Sequence, residues 1–199
     1  MDDSLKLTNI SDKMIYLKDY YCYLLERIPY CRVQEVPAEQ CMNIYIPAVY
    51  MTKEGIINSN IQFNGFDAAT VPVIFENGLA GYKEAEPFSI EDERSAAKDF
   101  IKAGFVYVSC GCRGRSSINS KGIYVGKSPV SLVDLKAGIR FLKANAGIIP
   151  GDMNRIISVG ISAGGAMSAL LGSTGNSSNY ENELEKMGAV MSQGDDIFA

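Results

Sequence analysis

The sequence predicts an α/β protein with a mostly parallel central sheet and helices on both faces of that sheet. Three short apolar runs recur, at residues 71–75, 105–109 and 155–159. Continuous hydrophobicity of this length is typical of strands that are buried on both faces. Segments with helical spacing separate the runs, so the order is strand, helix, strand, helix, strand. This order predicts parallel strands joined by right-handed crossovers.

Two crossover helices are predicted between these runs. Residues 90–103 carry apolar side chains at helical spacing and are followed by Gly104, a residue that is favourable at a helix C-terminus. Residues 128–147 begin with a serine as N-cap and a proline in the first turn, and their leucines and isoleucines then recur at intervals of three and four. We expect this second helix to end near its final glycine.

The N-terminal region is predicted to be helical. Apolar residues from 14 to 28 recur at intervals of three and four behind Ser11, a plausible N-cap. This spacing predicts an amphipathic helix over residues 11–27. The chain would then consist of an N-terminal helical segment over 1–30 and an α/β domain over 31–199.

Two further segments separate this helix from the first parallel strand. In residues 41–47, apolar side chains alternate with more polar ones before Pro47 ends the run. This alternation predicts a half-buried antiparallel strand at an edge of the sheet. Residues 52–70 are rich in asparagine and glycine and predict a long connection or a loose hairpin.

Composition excludes several classes of protein. Of the 199 residues, 47% are apolar and 21% are charged, which is typical of one soluble globular domain. A net charge of −4 provides no basic face for nucleic acid. The N-terminus resembles no signal peptide and no apolar stretch could span a bilayer, so we expect a cytoplasmic protein without membrane contact. Five cysteines in such a chain predict reduced thiols.

The pattern Gly-x-Ser-x-Gly at residues 160–164 is the strongest functional signal. It follows the apolar run at 155–159 directly and opens a segment of good helix formers. A serine on such a strand-to-helix turn is the nucleophile of many esterases, and the flanking Gly160, Gly164 and Gly165 leave room for the tight turn. We therefore expect Ser162 to be the nucleophile. The alternative is a glycine-rich turn in which the serine is passive.

A serine esterase also needs backbone amides that stabilise the oxyanion of its tetrahedral intermediate. One donor is the residue after the nucleophile, here Ala163. The other lies on the loop after an earlier strand, and the run at 73–77 leads into such a loop. Gly78 is the expected second donor, with Leu79 as its neighbouring candidate. An ordinary turn at these residues is the alternative.

Two basic residues follow the second parallel strand. Arg113 and Arg115 lie at the sheet edge where ligands bind in open α/β folds. They are predicted to contact a substrate carboxylate or phenol, with a loop-bracing ion pair as the alternative. Residues 122–128 end like a phosphate-binding loop but have one residue too few between the glycines, so no nucleotide is predicted. Neither a metal nor any other cofactor is expected.

With these residues in place, the chain resembles the α/β-hydrolase superfamily, and in particular the tannase-like and feruloyl-esterase-like carboxylesterases. The resemblance begins near residue 31 and is carried by residues 73–81, 109–115, 133–142, 149–152 and 160–166. It implies a three-layer α/β-hydrolase sandwich, a small-molecule ester as substrate, with phenolic acyl esters favoured, and a Ser-His-Asp triad. The resemblance also identifies residues 195–199 as the beginning of a further core strand, so the chain is expected to be cut before the last strands.

The sequence departs from that triad because it contains no histidine. Without a general base a serine hydroxyl is a poor nucleophile at neutral pH, so the chain alone is expected to be nearly inactive. Three hypotheses follow. The chain is the N-terminal part of an esterase, or a noncatalytic fragment that binds a partner or itself through an open sheet edge, or one half of an enzyme that is completed by a second polypeptide.

Overall fold

The computed structural model describes residues 5–191, which contain a six-stranded mixed sheet. The strand order is β1-β2-β3-β5-β4-β6. The strands are β1 (Met14–Leu17), β2 (Cys22–Pro29), β3 (Cys41–Pro47), β4 (Pro72–Asn77), β5 (Val106–Cys110) and β6 (Asp152–Val159). Strands β5, β4 and β6 are parallel to one another, while β1, β2, β3 and β5 pair antiparallel. The three predicted parallel strands are therefore confirmed within a sheet that also has an antiparallel half.

Four α-helices accompany this sheet in the described part of the chain. They are α1 (Ala97–Lys102), α2 (Val130–Ala144), α3 (Ala163–Thr174) and α4 (Glu181–Lys186). The first crossover helix is shorter than predicted, because residues 90–96 form turns before it, whereas Gly104 does follow it with a φ of +90°. The second is confirmed and ends three residues before Gly147. Its N-cap position is Pro129, without a side-chain cap from Ser128.

The helix predicted over residues 11–27 is wrong, because this segment forms a β-hairpin. Strands β1 and β2 pair antiparallel across a short 3₁₀ turn at Lys18–Tyr20. In β2 the register shifts between Leu25 and Ile28, and Arg27 has a φ of +50°. Such a bulge inserts an extra residue, so the buried side chains are spaced by three instead of two. That spacing imitates a helical pattern.

The hairpin also corrects the prediction for β3. This strand lies between β2 and β5 and is buried along its whole length, so it is neither an edge strand nor half-buried. Its more polar side chains form hydrogen bonds on the face of the sheet opposite its apolar ones. Asn43 Nδ2 and the Tyr45 hydroxyl both donate to the carbonyl oxygen of Phe88. Of the two alternatives predicted for residues 52–70, the structure has the long connection, which contains turns and isolated bridges.

Two apolar cores cover the two faces of the sheet and make the fold a three-layer arrangement. The larger core contains the inner side chains of α2 and α3, together with Phe75 of β4 and Val108 of β5. The smaller core lies beneath α1 and includes Ile74 and Tyr107. All five cysteines are buried free thiols. None of the helices over residues 5–191 is both long enough and apolar enough to cross a membrane.

Strand β6 forms one edge of the sheet among the described residues. Several of its side chains are partly or fully exposed, and Ile157 is 48% exposed. The further core strand that the resemblance places at residues 195–199 lies outside the described part of the chain.

Candidate active site

Ser162 occupies a sharp turn between β6 and α3. Its φ of +57° and ψ of −117° lie outside the regions that L-residues normally adopt, and it is the N-cap residue of α3. Strain of this kind persists only where the surrounding structure imposes it, and it is frequent at functional sites. The strand and the helix that the sequence predicts on either side of this serine are both confirmed.

The glycines of the turn are required by close backbone approach. A Cβ atom on Gly160 would lie 2.4 Å from the carbonyl carbon of Gly164, and one on Gly164 would lie 2.7 Å from Asn77 Oδ1. A Cβ atom on Gly165 would lie 3.2 Å from the carbonyl oxygen of Gly160, which is tight but less severe. The chain can therefore enter and leave the Ser162 turn only without side chains at Gly160 and Gly164.

The loop after β4 lies beside this turn. A cavity of about 260 Å³ is lined by Ser162 together with Gly78 and Leu79. A Cβ atom at Gly78 would lie 2.6 Å from the Phe88 ring, so a side chain at this position would have to displace that ring. The structure thus brings the predicted nucleophile and both predicted loop donors to one cavity.

The backbone amides that were predicted as oxyanion donors lack internal acceptors. Ala163 is the first residue of α3, where N–H groups have no partner within the helix. None of the hydrogen bonds between described residues has the amide of Ala163, Gly78 or Leu79 as its donor. Gly78 and Leu79 line the Ser162 cavity, so their amides lie beside any acceptor that enters it, whereas Ala163 follows Ser162 in the chain but is not among the lining residues.

A buried acid lies next to this loop but belongs to the other face of the sheet. Successive residues of a strand point to opposite faces, so the Glu76 and Asn77 side chains diverge. The Glu76 carboxylate accepts a hydrogen bond from the hydroxyl of Tyr107 on β5. Burial raises the pKa of Glu76, and the hydrogen bond from Tyr107 acts in the opposite direction. Glu76 therefore forms its hydrogen bond within the smaller core, although it also lines the Ser162 cavity.

Arg113 has the structural role that the sequence left open as the alternative. Its Nε and Nη2 donate to the two carboxylate oxygens of Asp134 at 2.9 and 2.7 Å, and its backbone N–H donates to the same carboxylate at 2.9 Å. Asp134 lies on α2 and is fully buried. The guanidinium group thus braces the loop after β5 against α2, which makes a substrate contact by Arg113 a poor prediction.

Arg115 differs from Arg113 because it is exposed and forms no ion pair with any described residue. It lines a second cavity, of about 480 Å³, together with three tyrosines, Tyr82, Tyr124 and Tyr180. Its Nη2 atom lies 3.9 Å from the position that a Cβ on Gly81 would take. Since Gly81 also lines the Ser162 cavity, Arg115 stands where the two cavities approach each other.

Sequence reasoning missed several residues that shape this region. The three tyrosines are far apart in the chain, and no sequence pattern links them. Tyr82 is distinguished by its positive φ of +60°, and no sequence rule predicts that conformation for a tyrosine. Asn77 precedes the predicted donor Gly78 directly, so its position was a usable signal, but its contacts with the Ser162 turn depend on how β4 pairs with β6.

Comparisons with known proteins identify the family and the fold of the chain. The profile of the BD-FAE family matches residues 67–196. A tannase from Fusobacterium nucleatum is 34% identical, with a TM-score of 0.85 over 96% of this chain and 40% of its own. A tannase from Lactobacillus plantarum is 31% identical, with a TM-score of 0.83 over 98% of this chain and 42% of its own.

A tannin acyl hydrolase in complex with ethyl gallate is 30% identical, with a TM-score of 0.81 over 98% of this chain and 43% of its own. The chain therefore spans about 40% of the length of the tannases it matches. A comparison with curated protein sequences gives no match. From the family profile, which covers well over half of its residues, and the tannase-like fold, the chain belongs to the BD-FAE family of α/β-hydrolase-type esterases.

Proposed function

We propose that this chain supplies the nucleophile and the oxyanion donors of a carboxylic-ester hydrolase that acts through an acyl-Ser162 intermediate. The observation that carries the proposal is the strained turn at Ser162, which faces the same cavity as the glycine loop after β4. A serine held in this way presents its hydroxyl above the sheet, beside amides that can donate hydrogen bonds to a developing oxyanion.

The proposed reaction has two steps. Ser162 Oγ attacks the ester carbonyl carbon while a general base takes its proton, and the carbonyl oxygen becomes an oxyanion that the amides of Ala163 and Gly78 stabilise, with Leu79 as the neighbouring donor. The alcohol leaves with a proton, and water then hydrolyses the acyl-serine. Because the chain has no histidine, an imidazole base must come from polypeptide beyond these 199 residues or from a second chain.

Phenolic acyl esters are the proposed substrates. Two of the similar structures are tannin acyl hydrolases in complex with ethyl gallate and with 3,4-dihydroxybenzoate. In this chain, the tyrosine-lined cavity offers aromatic surfaces for a phenolic ring, and its lining carries one cation, Arg115, and no carboxylate. We propose that Arg115 contacts a phenol or a carboxylate of the substrate, whereas Arg113 does not.

Labelling with a fluorophosphonate, followed by peptide mass spectrometry, tests the nucleophile directly. We expect the probe on Ser162 in the protein encoded by the complete reading frame that contains this chain, and much slower labelling of the 199 residues alone. Ser162→Ala should abolish labelling and the hydrolysis of p-nitrophenyl acetate, whereas Ser173→Ala, on the exposed side of the same helix, should change neither. A Ser162→Ala protein that retains esterase turnover would refute the proposal.

A second candidate is a noncatalytic fragment that binds a partner, or another copy of itself, along β6. The position of β6 at the sheet edge among residues 5–191 and the exposed Ile157 favour it. Size-exclusion chromatography of the 199-residue chain distinguishes the two candidates. Stable association that Ile157→Lys removes, together with no labelling of Ser162 in any form of the protein, is the result expected of the fragment.

A further inference from the structure

We propose that Asn77 is a positioning residue, which holds the Ser162 turn and the oxyanion loop in a fixed relation to each other. The inference rests on the proposed function, since it assigns a role within that same site. Asn77 is the last residue of β4 and is 3% exposed. Its backbone leads directly into Gly78, and its side chain points towards the turn.

The side-chain amide joins both sides of the turn. Asn77 Nδ2 lies 3.3 Å from the carbonyl oxygen of Val159, the last residue of β6, and 3.2 Å from that of Gly164, in the first turn of α3. Ser162 lies between these two acceptors in the chain. One amide group therefore connects the strand that enters the turn with the helix that leaves it.

A third contact fixes the amide from the side of α3. Asn77 Nδ2 is 3.2 Å from the Ser168 hydroxyl, and that hydroxyl accepts a hydrogen bond of 2.8 Å from Ser158 on β6. The network thus again includes one residue from the strand and one from the helix. Relative movement of β6 and α3 would break it at more than one point.

The glycines of the motif leave the space that this amide needs. A Cβ atom on Gly160 would lie 2.9 Å from Asn77 Nδ2, and one on Gly164 would lie 2.7 Å from Asn77 Oδ1. The turn is therefore packed directly around the Asn77 amide. Because Asn77 and Gly78 are adjacent, the same contacts also determine where the Gly78 amide lies relative to that of Ala163.

One atom of Asn77 shows that packing alone does not explain the residue. Its Oδ1 is buried without a hydrogen-bond partner among the described residues, and a buried acceptor without a donor is unfavourable. Exchanging Oδ1 and Nδ2 would bring an oxygen against the carbonyl oxygens of Val159 and Gly164, so these acceptors determine the orientation. The residue is thus held in place by its two donated hydrogen bonds, at the expense of its own acceptor.

The expected effect of losing Asn77 is on the rate of the chemical step. Oxyanion stabilisation depends on donors placed within a few tenths of an ångström of the developing charge, and removal of one such donor slows catalysis by about 10²-fold to 10³-fold. A donor that moves out of place loses the same interaction in the transition state. Binding of the ground-state ester depends less on it, so kcat falls while KM changes little.

The test uses Asn77→Asp in the protein encoded by the complete reading frame. The aspartate keeps the shape of asparagine but turns oxygen atoms towards two carbonyl oxygens. We expect kcat for p-nitrophenyl acetate to fall by about 10²-fold, with KM within about threefold, and the labelling of Ser162 by fluorophosphonate to slow in proportion. Asn77→Ser, which retains a hydroxyl donor in a smaller side chain, should recover part of the loss and serves if the aspartate variant does not fold.

Asn145→Asp is the matched control. Asn145 is also fully buried, and its Nδ2 also donates to two backbone carbonyl oxygens, those of Leu5 and Phe141, but at the C-terminus of α2. This variant should lower stability and leave kcat per folded molecule unchanged. If Asn77→Asp retains kcat within twofold of the parent, or if Asn77→Ser does so where the aspartate variant does not fold, the positioning role is wrong, even where Ser162→Ala abolishes turnover. Turnover that survives Ser162→Ala would instead refute the function itself.

Discussion

The guanidinium group of Arg113 binds the Asp134 carboxylate through two hydrogen bonds. The Arg113 side chain is 11% exposed and the Asp134 side chain is 0% exposed. This pair connects the loop after β5 to the buried face of α2. The carboxylate also accepts a hydrogen bond from Gln40 Nε2, at 3.3 Å. Three parts of the chain that are distant in sequence thus meet at Asp134.

Arg113→Met is expected to destabilise the protein by about 3 kcal/mol or more, because it leaves the Asp134 charge buried without its cation. Arg115→Met provides the control two residues away. Since Arg115 is exposed and without an ion pair among the described residues, its loss should change the free energy of unfolding by less than about 0.5 kcal/mol. Urea denaturation of both variants measures the difference, and equal effects would contradict the assigned roles.

Gly160→Ala is expected to lower stability by about 2 kcal/mol or more, because the new methyl group would overlap the Gly164 backbone. The variant should also slow the reaction of Ser162 with fluorophosphonate, since the turn must open to admit the methyl group. Gly172→Ala is the matched change on α3, where the added Cβ meets nothing within 4 Å. It should stabilise the protein by about 0.5 to 1 kcal/mol, as alanine does in helices. Chemical denaturation of both variants measures whether the free energy of unfolding falls for Gly160→Ala and rises for Gly172→Ala.

Arg115→Met tests the proposed substrate contact. In the complete protein, its KM for an aryl ester that bears a carboxylate should rise by about tenfold, which corresponds to one charge-assisted hydrogen bond. Its KM for the same ester without the carboxylate should not change. Arg115→Lys keeps the charge and should give an intermediate value. Equal changes for both esters would show that Arg115 does not recognise the negative group.

Glu76→Gln should alter the dependence of stability on pH. Burial raises the pKa of Glu76 in the folded protein, so the unfolded chain loses this proton first as the pH rises. The contribution of Glu76 is therefore greatest below its unfolded pKa of about 4.3 and is lost as the pH rises through the folded pKa. The variant lacks this loss, so its stability relative to the parent should increase from pH 4 towards neutrality.

Glu84→Gln is expected to show the opposite trend. The hydrogen bond from Ser116 lowers the pKa of Glu84, so its contribution to stability is present at neutral pH and is lost on acidification. Because Glu84 is exposed, the effect should be small. Denaturation between pH 3.5 and 7.5 compares both variants with the parent, and parallel curves for Glu76→Gln and the parent would refute the first expectation.

The elements predicted correctly from the sequence are those whose hydrophobic pattern fits only one kind of secondary structure. A continuous apolar run such as residues 71–75 fits a strand that is buried on both faces, as β4 is, whereas the run at 155–159 forms a strand whose side chains are partly exposed at the sheet edge. The prediction of an N-terminal helix failed because the bulge at Arg27 changes the spacing of the buried residues in the hairpin. Local propensity does not reveal such a bulge. Arg113 was ambiguous because its partner, Asp134, becomes a neighbour only when α2 packs against the sheet.

The register between β3 and β5 determines how this chain could be recombined with a relative. Ile44 pairs with Val108 across the two strands, whereas the BD-FAE profile begins only at residue 67. A chimera joined at that boundary would take neighbouring strands from different parents, and their side chains would have to fit along every pair. A junction placed before Met14 keeps β1 to β6 from one parent, so the inherited unit is larger than the family boundary indicates.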